Sequence, residues 1–299
     1  SRMPVPKSYR GGRRGRSPHR ARGAKAFRNG AMVFAVVVLI AGGLAGFFVW
    51  IGGNDAALDP VTLCPTDRDI RSPKVLVILF DQTDQLTNEH RQALRSHFRR
   101  LIHDEFERGD AAQTSRFSRI EVYSFRAESA AGGLAIERQL AVCNPGDVDG
   151  LTKFTKNPGQ VRRNFEQRFL GKIDSELADL LKFKESPASP LFEAIKYVAL
   201  KVFADPRYDR SGKHLVLVSD MLNNTKDLSM FQRIPPYAEF RRTSYAARVR
   251  PELRGVAVRG FVLLAKRIEL QGKAFLDFWR DYFLDSGASP GGYHLTRVP

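Results

Sequence analysis

The sequence predicts an α/β protein, a doubly wound and mostly parallel sheet with helices on both faces, carried behind one N-terminal transmembrane helix. Three observations carry this prediction. Residues 31–51 are an uncharged apolar run, preceded by thirty residues that hold ten Lys or Arg and no acid. Residues 74–80 (KVLVILF), 214–218 (HLVLV) and 256–264 (VAVRGFVLL) are near-continuous apolar stretches rich in β-branched residues, as strands buried on both faces of a parallel sheet are. Between these stretches apolar residues recur at helical spacing, so strand and helix alternate along the chain.

At about 1.5 Å per residue, a helix over 31–51 reaches about 30 Å, the thickness of a bilayer core. The run is longer than the apolar region of a cleavable signal, so it is expected to remain as an anchor. Its basic flank stays in the cytoplasm, which places the rest of the chain outside, in a periplasm or at a cell exterior. Gly42 and Gly46 form a GxxxG on this helix, a route by which two anchors could dimerise. The 299-residue chain has a formal charge of +16, and removing residues 1–30 leaves +6, so the extreme pI belongs to the tail. That tail, Arg-rich and spaced by Gly, Pro and Ser, is expected to be disordered. It reads as a topology signal, with nucleic-acid or anionic-lipid binding as the competing reading. The expected organisation is a basic cytoplasmic tail (1–30), a transmembrane helix (31–53), a stalk (54–73) and one extracytoplasmic domain (74–299).

Within the domain, the strand at 74–80 precedes a helix over 88–107 with Leu94, Phe98, Leu101, Ile102 and Phe106 inward. Residues 118–125 and 134–142 alternate as strands, and Asn144-Pro145-Gly146 stops the second. Helices follow over 160–183 (Phe165, Phe169, Ile173, Leu177, Leu180) and 190–204 (Leu191, Ala194, Ile195, Val198, Val202). The strands at 214–218 and 256–264, an aromatic-rich helix over 272–284 and a short strand over 293–298 complete the order. Cys64 and Cys143 both fall on the exported side and read as a disulfide, against the alternative of two separate buried thiols. Neither CxxC nor a zinc-like His grouping occurs, and GxSxG, GxxxxGK[ST], HExxH and GxGxxG are absent.

In open α/β sheets, ligands bind beyond the carboxyl ends of the strands, at the point where strand order reverses. Two buried strands end in aspartate, one running into Asp81-Gln82-Thr83-Asp84-Gln85 and the other into Ser219-Asp220. Ser189-Pro190-Leu191 opens a helix between them. Carboxylates, hydroxyls and an amide converging there are hard oxygen ligands of the kind Mg²⁺ takes. The same aspartates also suit plain capping of turns and helices.

These residues resemble the metal-ion-dependent adhesion site of von Willebrand factor A domains, which share a fold with integrin I domains. That family builds its site from Asp-x-Ser-x-Ser after the first strand, a Thr before a later helix and an Asp after the fourth strand. The matching positions are Asp81, Thr83 and Gln85, then Ser189, then Asp220, and the resemblance covers roughly residues 73–285. Gln85 replaces the second serine, and Asp84 adds an acid inside the motif, so the site is degenerate. The resemblance implies a Mg²⁺ ion whose shell a partner protein's carboxylate completes, and no chemistry. It also implies an antiparallel third strand, which would bring Cys143 to the pole where Cys64 enters and turn the metal site away from the membrane. The expected function is therefore a membrane-anchored module that binds another protein through its membrane-distal face.

Two alternatives stand beside it. One is a metal-independent structural subunit of an envelope complex. The other is a phosphatase: the strand end also resembles the Asp-x-Asp-x-Thr of haloacid dehalogenases, but Thr83 stands where their proton-donating Asp would be. Asn223-Asn224-Thr225 matches a glycosylation sequon beside the proposed site.

Overall fold

The computed structural model describes residues 32, 34, 36–44, 56–83, 86–109, 111–129, 132–148, 157–181, 188–264 and 268–299. It divides into two units, Ser1–Asp55 and Ala56–Pro299. In the first unit the described residues are helical and exposed. Among the described residues no helix is long and apolar enough to cross a membrane. The basic tail and much of the run at 31–53, including Gly46, lie outside the described residues.

Among the described residues the second unit has six strands: β1 (Lys74–Asp81), β2 (Arg119–Ser129), β3 (Gly132–Cys143), β4 (Gly212–Ser219), β5 (Val256–Leu263) and β6 (Tyr293–Val298). They form one sheet in the order β3-β2-β1-β4-β5-β6, in which, among the described residues, only the edge strand β3 runs antiparallel to its neighbour. The expected mostly parallel α/β sheet, with its one reversed strand, is thus the fold observed.

Side-chain alternation along β1 divides the interior. Val75, Val77 and Leu79 face one layer, and Leu76, Ile78 and Phe80 face the other. The second layer is made by helix α1 (Asn88–Ile102) and by α2 (Gly171–Leu180). Thr87 caps α1, accepting the N–H of His90 at 3.1 Å, so the helix starts one residue beyond a satisfied terminus. The first layer holds α3 (Leu191–Val198), α4 (Lys273–Asp285) and two short helices, Tyr237–Phe240 and Ser244–Val249. Phe192 is the hub of this layer, with ring centroids of Phe240, Trp279 and Tyr282 all 5.0–5.2 Å away.

Cys64 and Cys143 are joined in a disulfide. Arg119 at the start of β2 pairs in register with Cys143, so the bond sits at the pole where the parallel strands begin. Residues 56–73, expected as a stalk, are folded onto that pole. Leu63 is buried in the α1-side core, and the N–H of Cys143 donates to the carbonyl of Thr62 at 2.8 Å. Asp59 organises the turn by accepting Thr62 N–H at 2.7 Å. A polar, Pro-containing segment hid this packing because one apolar side chain and a set of backbone bonds hold it, with no periodic face.

Candidate metal centre at the topological switch point

Because β1 lies between β2 and β4, strand order reverses between β1 and β4, and the crevice beyond their carboxyl ends is the switch point. Asp81 ends β1 and Ser219 ends β4. The two are level, since Phe80 pairs with Val218.

The Asp81 carboxylate is the centre of the arrangement. Its Oδ1 accepts the N–H of Thr83 at 3.0 Å. Its Oδ2 accepts two hydroxyls, Ser189 Oγ at 2.9 Å and Ser219 Oγ at 2.7 Å. Asp81, Thr83, Ser189, Ser219 and Asp220 are each no more than 5% exposed. A carboxylate so deep in the protein keeps its charge only with such donors around it.

Three segments hold these groups in place. Ser189 and Asn224 exchange backbone hydrogen bonds of 2.9 Å in both directions, tying the start of α3 to the loop after β4. Asn223 lies across the same joint: its Oδ1 accepts Phe192 N–H at 3.4 Å, and its Nδ2 donates to Leu228 O at 2.9 Å. In the β4 loop, Asp220 Oδ1 accepts Leu222 N–H at 2.8 Å, while Gln271 Nε2 donates to the Asp220 carbonyl at 2.8 Å. Met221 adopts φ 57°, unusual for a side chain of its size, and Trp279 Nε1 donates to its carbonyl at 3.1 Å. The loop is thus over-determined by buried polar bonds from α4 and its approach.

Of the expected ligands, Asp81, Thr83 and Ser189 are brought together by direct hydrogen bonds, and Asp220 stands at the same strand end. Gln85 and Asp84 lie outside the described residues. Ser219, named in the sequence as a strand end, lies outside the expected ligand set. Its position at a strand end across from Asp81 is legible in the sequence, but only once the β1–β4 pairing is known. The sequon reading fails on geometry: Asn223 is fully buried, and its amide nitrogen is committed to Leu228.

The donor set fits a hard divalent cation. The Asp81 carboxylate with the Ser189 and Ser219 hydroxyls, Thr83 held through its N–H and Asp220 one residue beyond Ser219 offer oxygen donors alone, while among the described residues no three His, Cys, Asp or Glu side chains group to hold a metal. A hydroxyl that donates its proton to Asp81 has its lone pairs turned elsewhere, where a cation can take them. Ser189 Oγ is placed in this way; Ser219 Oγ already accepts Met221 N–H at 2.8 Å.

Glu193, in the first turn of α3, extends the polar network. Tyr245 OH donates to its two oxygens at 3.0 and 3.1 Å, and burial holds its carboxyl above the usual glutamate range. A raised folded-state pKa stabilises the fold below the ordinary glutamate range, and this contribution is lost as pH rises through the folded value. Glu193→Gln keeps an acceptor for Tyr245 without the buried charge. The variant is expected to have the higher urea midpoint at pH 7, with the advantage vanishing near pH 4.

No family model and no curated protein matches this chain. Solved structures do. The mussel byssus protein PTMP1 is 16% identical at TM-score 0.40, covering 76% of this chain and 44% of its own, so this chain spans less than half of that protein. The SpRpn10 VWA domain is 10% identical at TM-score 0.40, covering 76% of this chain and 88% of its own. Manganese-loaded TRAP of Plasmodium vivax is 12% identical at TM-score 0.37, covering 76% of this chain and 69% of its own.

Proposed function

We propose that this chain is a membrane-anchored, extracytoplasmic protein-binding module, without catalytic activity of its own, whose switch-point crevice takes Mg²⁺ and through it a partner's carboxylate. The observation that carries this reading is the Asp81 carboxylate gathering Ser189 and Ser219 beside Asp220 at the reversal of strand order. Asp81, Thr83, Ser189 and Asp220 would hold the ion, with Gln85 as a further oxygen donor. The ion would supply a point of positive charge for an acidic side chain of the partner.

The exported location is supported by the disulfide, which persists in oxidising compartments. It is also supported by the apolar run at 31–51 with its basic flank. The disulfide lies at the pole where the strands begin and the crevice at the pole where they end.

A second reading is favoured by the completeness of the hydrogen bonding. Among the described residues Asp81 accepts from Thr83, Ser189 and Ser219, an arrangement that would also serve a metal-independent structural subunit of an envelope complex.

The two readings separate in one titration. Full-length protein stripped with chelator is titrated with Mg²⁺ and Mn²⁺ while melting temperature and binding heat are followed, with Asp81→Asn as control. Saturable stabilisation that the variant lacks is the expected result. Identical flat responses from both proteins would leave the structural reading.

A further inference from the structure

A cavity of about 240 Å³ lies on the α1 side of the sheet, well away from the switch point, between the carboxyl end of α1 and the lower halves of β4, β5 and β6. The sheet face changes character there. Nearer the carboxyl ends, this face presents Val216 and Val218 from β4, Phe261 and Leu263 from β5, and Val298 from β6, all buried. Phe261 packs edge-on against Phe98 of α1, with centroids 5.8 Å apart. Toward the strand starts, each of the same three strands substitutes a nitrogen donor: His214, Arg259 and His294.

Register places these three together. Arg259 pairs directly with His294 across β5 and β6. Val216 pairs with Arg259, so His214 sits on the diagonal, two residues back on the same face. Diagonal neighbours about 7–8 Å apart are within reach of long side chains. An arginine inside a strand, on a face that is apolar above it, needs a reason.

Donors exceed acceptors in this cavity. Among the described residues, the one carboxylate lining it is Glu105, and that carboxylate is paired with the Lys74 ammonium. Among the described residues, the side chains of Arg259, His214 and His294 form no hydrogen bond or ion pair. Burial, chiefly, keeps the His214 ring below its ordinary pKa, with Lys74 and Arg259 acting in the same direction and Glu105 against. The neutral ring thus offers one N–H without adding charge. Gly292 closes the wall: a Cβ there would stand 2.8 Å from Ala257 Cβ, so the turn before β6 lies directly on β5.

We propose that this cavity binds a phosphoryl oxyanion, with the Arg259 fork taking two oxygens and His294 and His214 taking the others. A guanidinium matches a tetrahedral oxyanion through paired N–H bonds, which a lysine cannot reproduce. The cavity has room for a small organic group beyond the phosphoryl, so the source of the oxyanion is either free phosphate or a small phosphomonoester.

The test uses full-length protein without divalent metal, titrated at constant ionic strength with sodium phosphate and with glycerol 3-phosphate, and with sodium chloride as reference. Binding heat and the imidazole signals of His214 and His294 are followed. Saturable binding is expected, weakened at least tenfold in Arg259→Met and in His294→Gln, with both imidazoles shifting in the wild type. Tighter binding of glycerol 3-phosphate assigns a phosphomonoester, and equal binding assigns phosphate itself. Phosphate held by the basic tail would survive Arg259→Met unchanged, and that result overturns the proposal, as does a wild type without saturable binding. Should Arg259→Met fail to fold, His294→Gln carries the test alone, since His294 is exposed at the sheet edge.

Discussion

Opening the Cys64–Cys143 bond, by reductant or as the double serine variant, lowers the stability of the folded domain by about 4 kcal/mol. The two cysteines are 79 residues apart in sequence, and the chain entropy of so long a loop sets that magnitude. Other contacts hold the same segment and are expected to persist without the bond: Leu63 packs in the core, Cys143 N–H donates to Thr62 O, and Thr66 N–H donates to Ala57 O at 2.8 Å. The loss therefore arises in the unfolded chain, which gains the freedom the loop had removed. Urea midpoints with and without reductant give the number. Hydrogen exchange of residues 57–66 under native conditions should barely change. A loss below about 1 kcal/mol, or exchange that rises throughout this segment, would mean that the bond acts on the native state instead.

Much of the fold was legible because its central strands are buried on both sides. β1, β4 and β5 appear as apolar runs since, over most of β1 and toward the carboxyl ends of β4 and β5, side chains of either orientation meet a helix layer. α1 and α4 were legible for the opposite reason, one apolar face each on a charged background. The segment between β4 and β5 was not. Its helices, Tyr237–Phe240 and Ser244–Val249, are too short to show a period, and Pro235-Pro236 reads as a break. Their aromatic residues, Phe240 and Tyr245, matter through contacts with Phe192, which local pattern cannot reveal. The same limit applies to the crevice. Asp81 and Asp220 stand out as acids at the ends of apolar runs, whereas Ser219 gains its role from a strand pairing 138 residues away in sequence. The nitrogen donors of β4, β5 and β6 are unremarkable singly, and register alone assembles them.

Asp81→Ala is expected to cost about 3 kcal/mol even with every metal chelated, at about 1 kcal/mol for each donor that loses its acceptor. Those donors are Thr83 N–H, Ser189 Oγ and Ser219 Oγ, all in residues no more than 5% exposed, where water cannot readily replace the carboxylate. Asp81→Asn should cost clearly less. Its oxygen still accepts one bond, and the serine hydroxyls can rotate to accept from its amide. Both variants abolish the negative charge on which a cation depends, so both should lose any response to Mg²⁺ or Mn²⁺. This difference separates structure from binding. Were the crevice only a polar joint, the wild type would show the same unfolding midpoint in chelator as in Mg²⁺, and the alanine variant would fall equally below it in both. Were it a metal centre, the gap between wild type and Asp81→Asn would widen with added Mg²⁺, by the amount that binding to the folded state alone contributes. Urea midpoints for three proteins in two buffers are sufficient to choose.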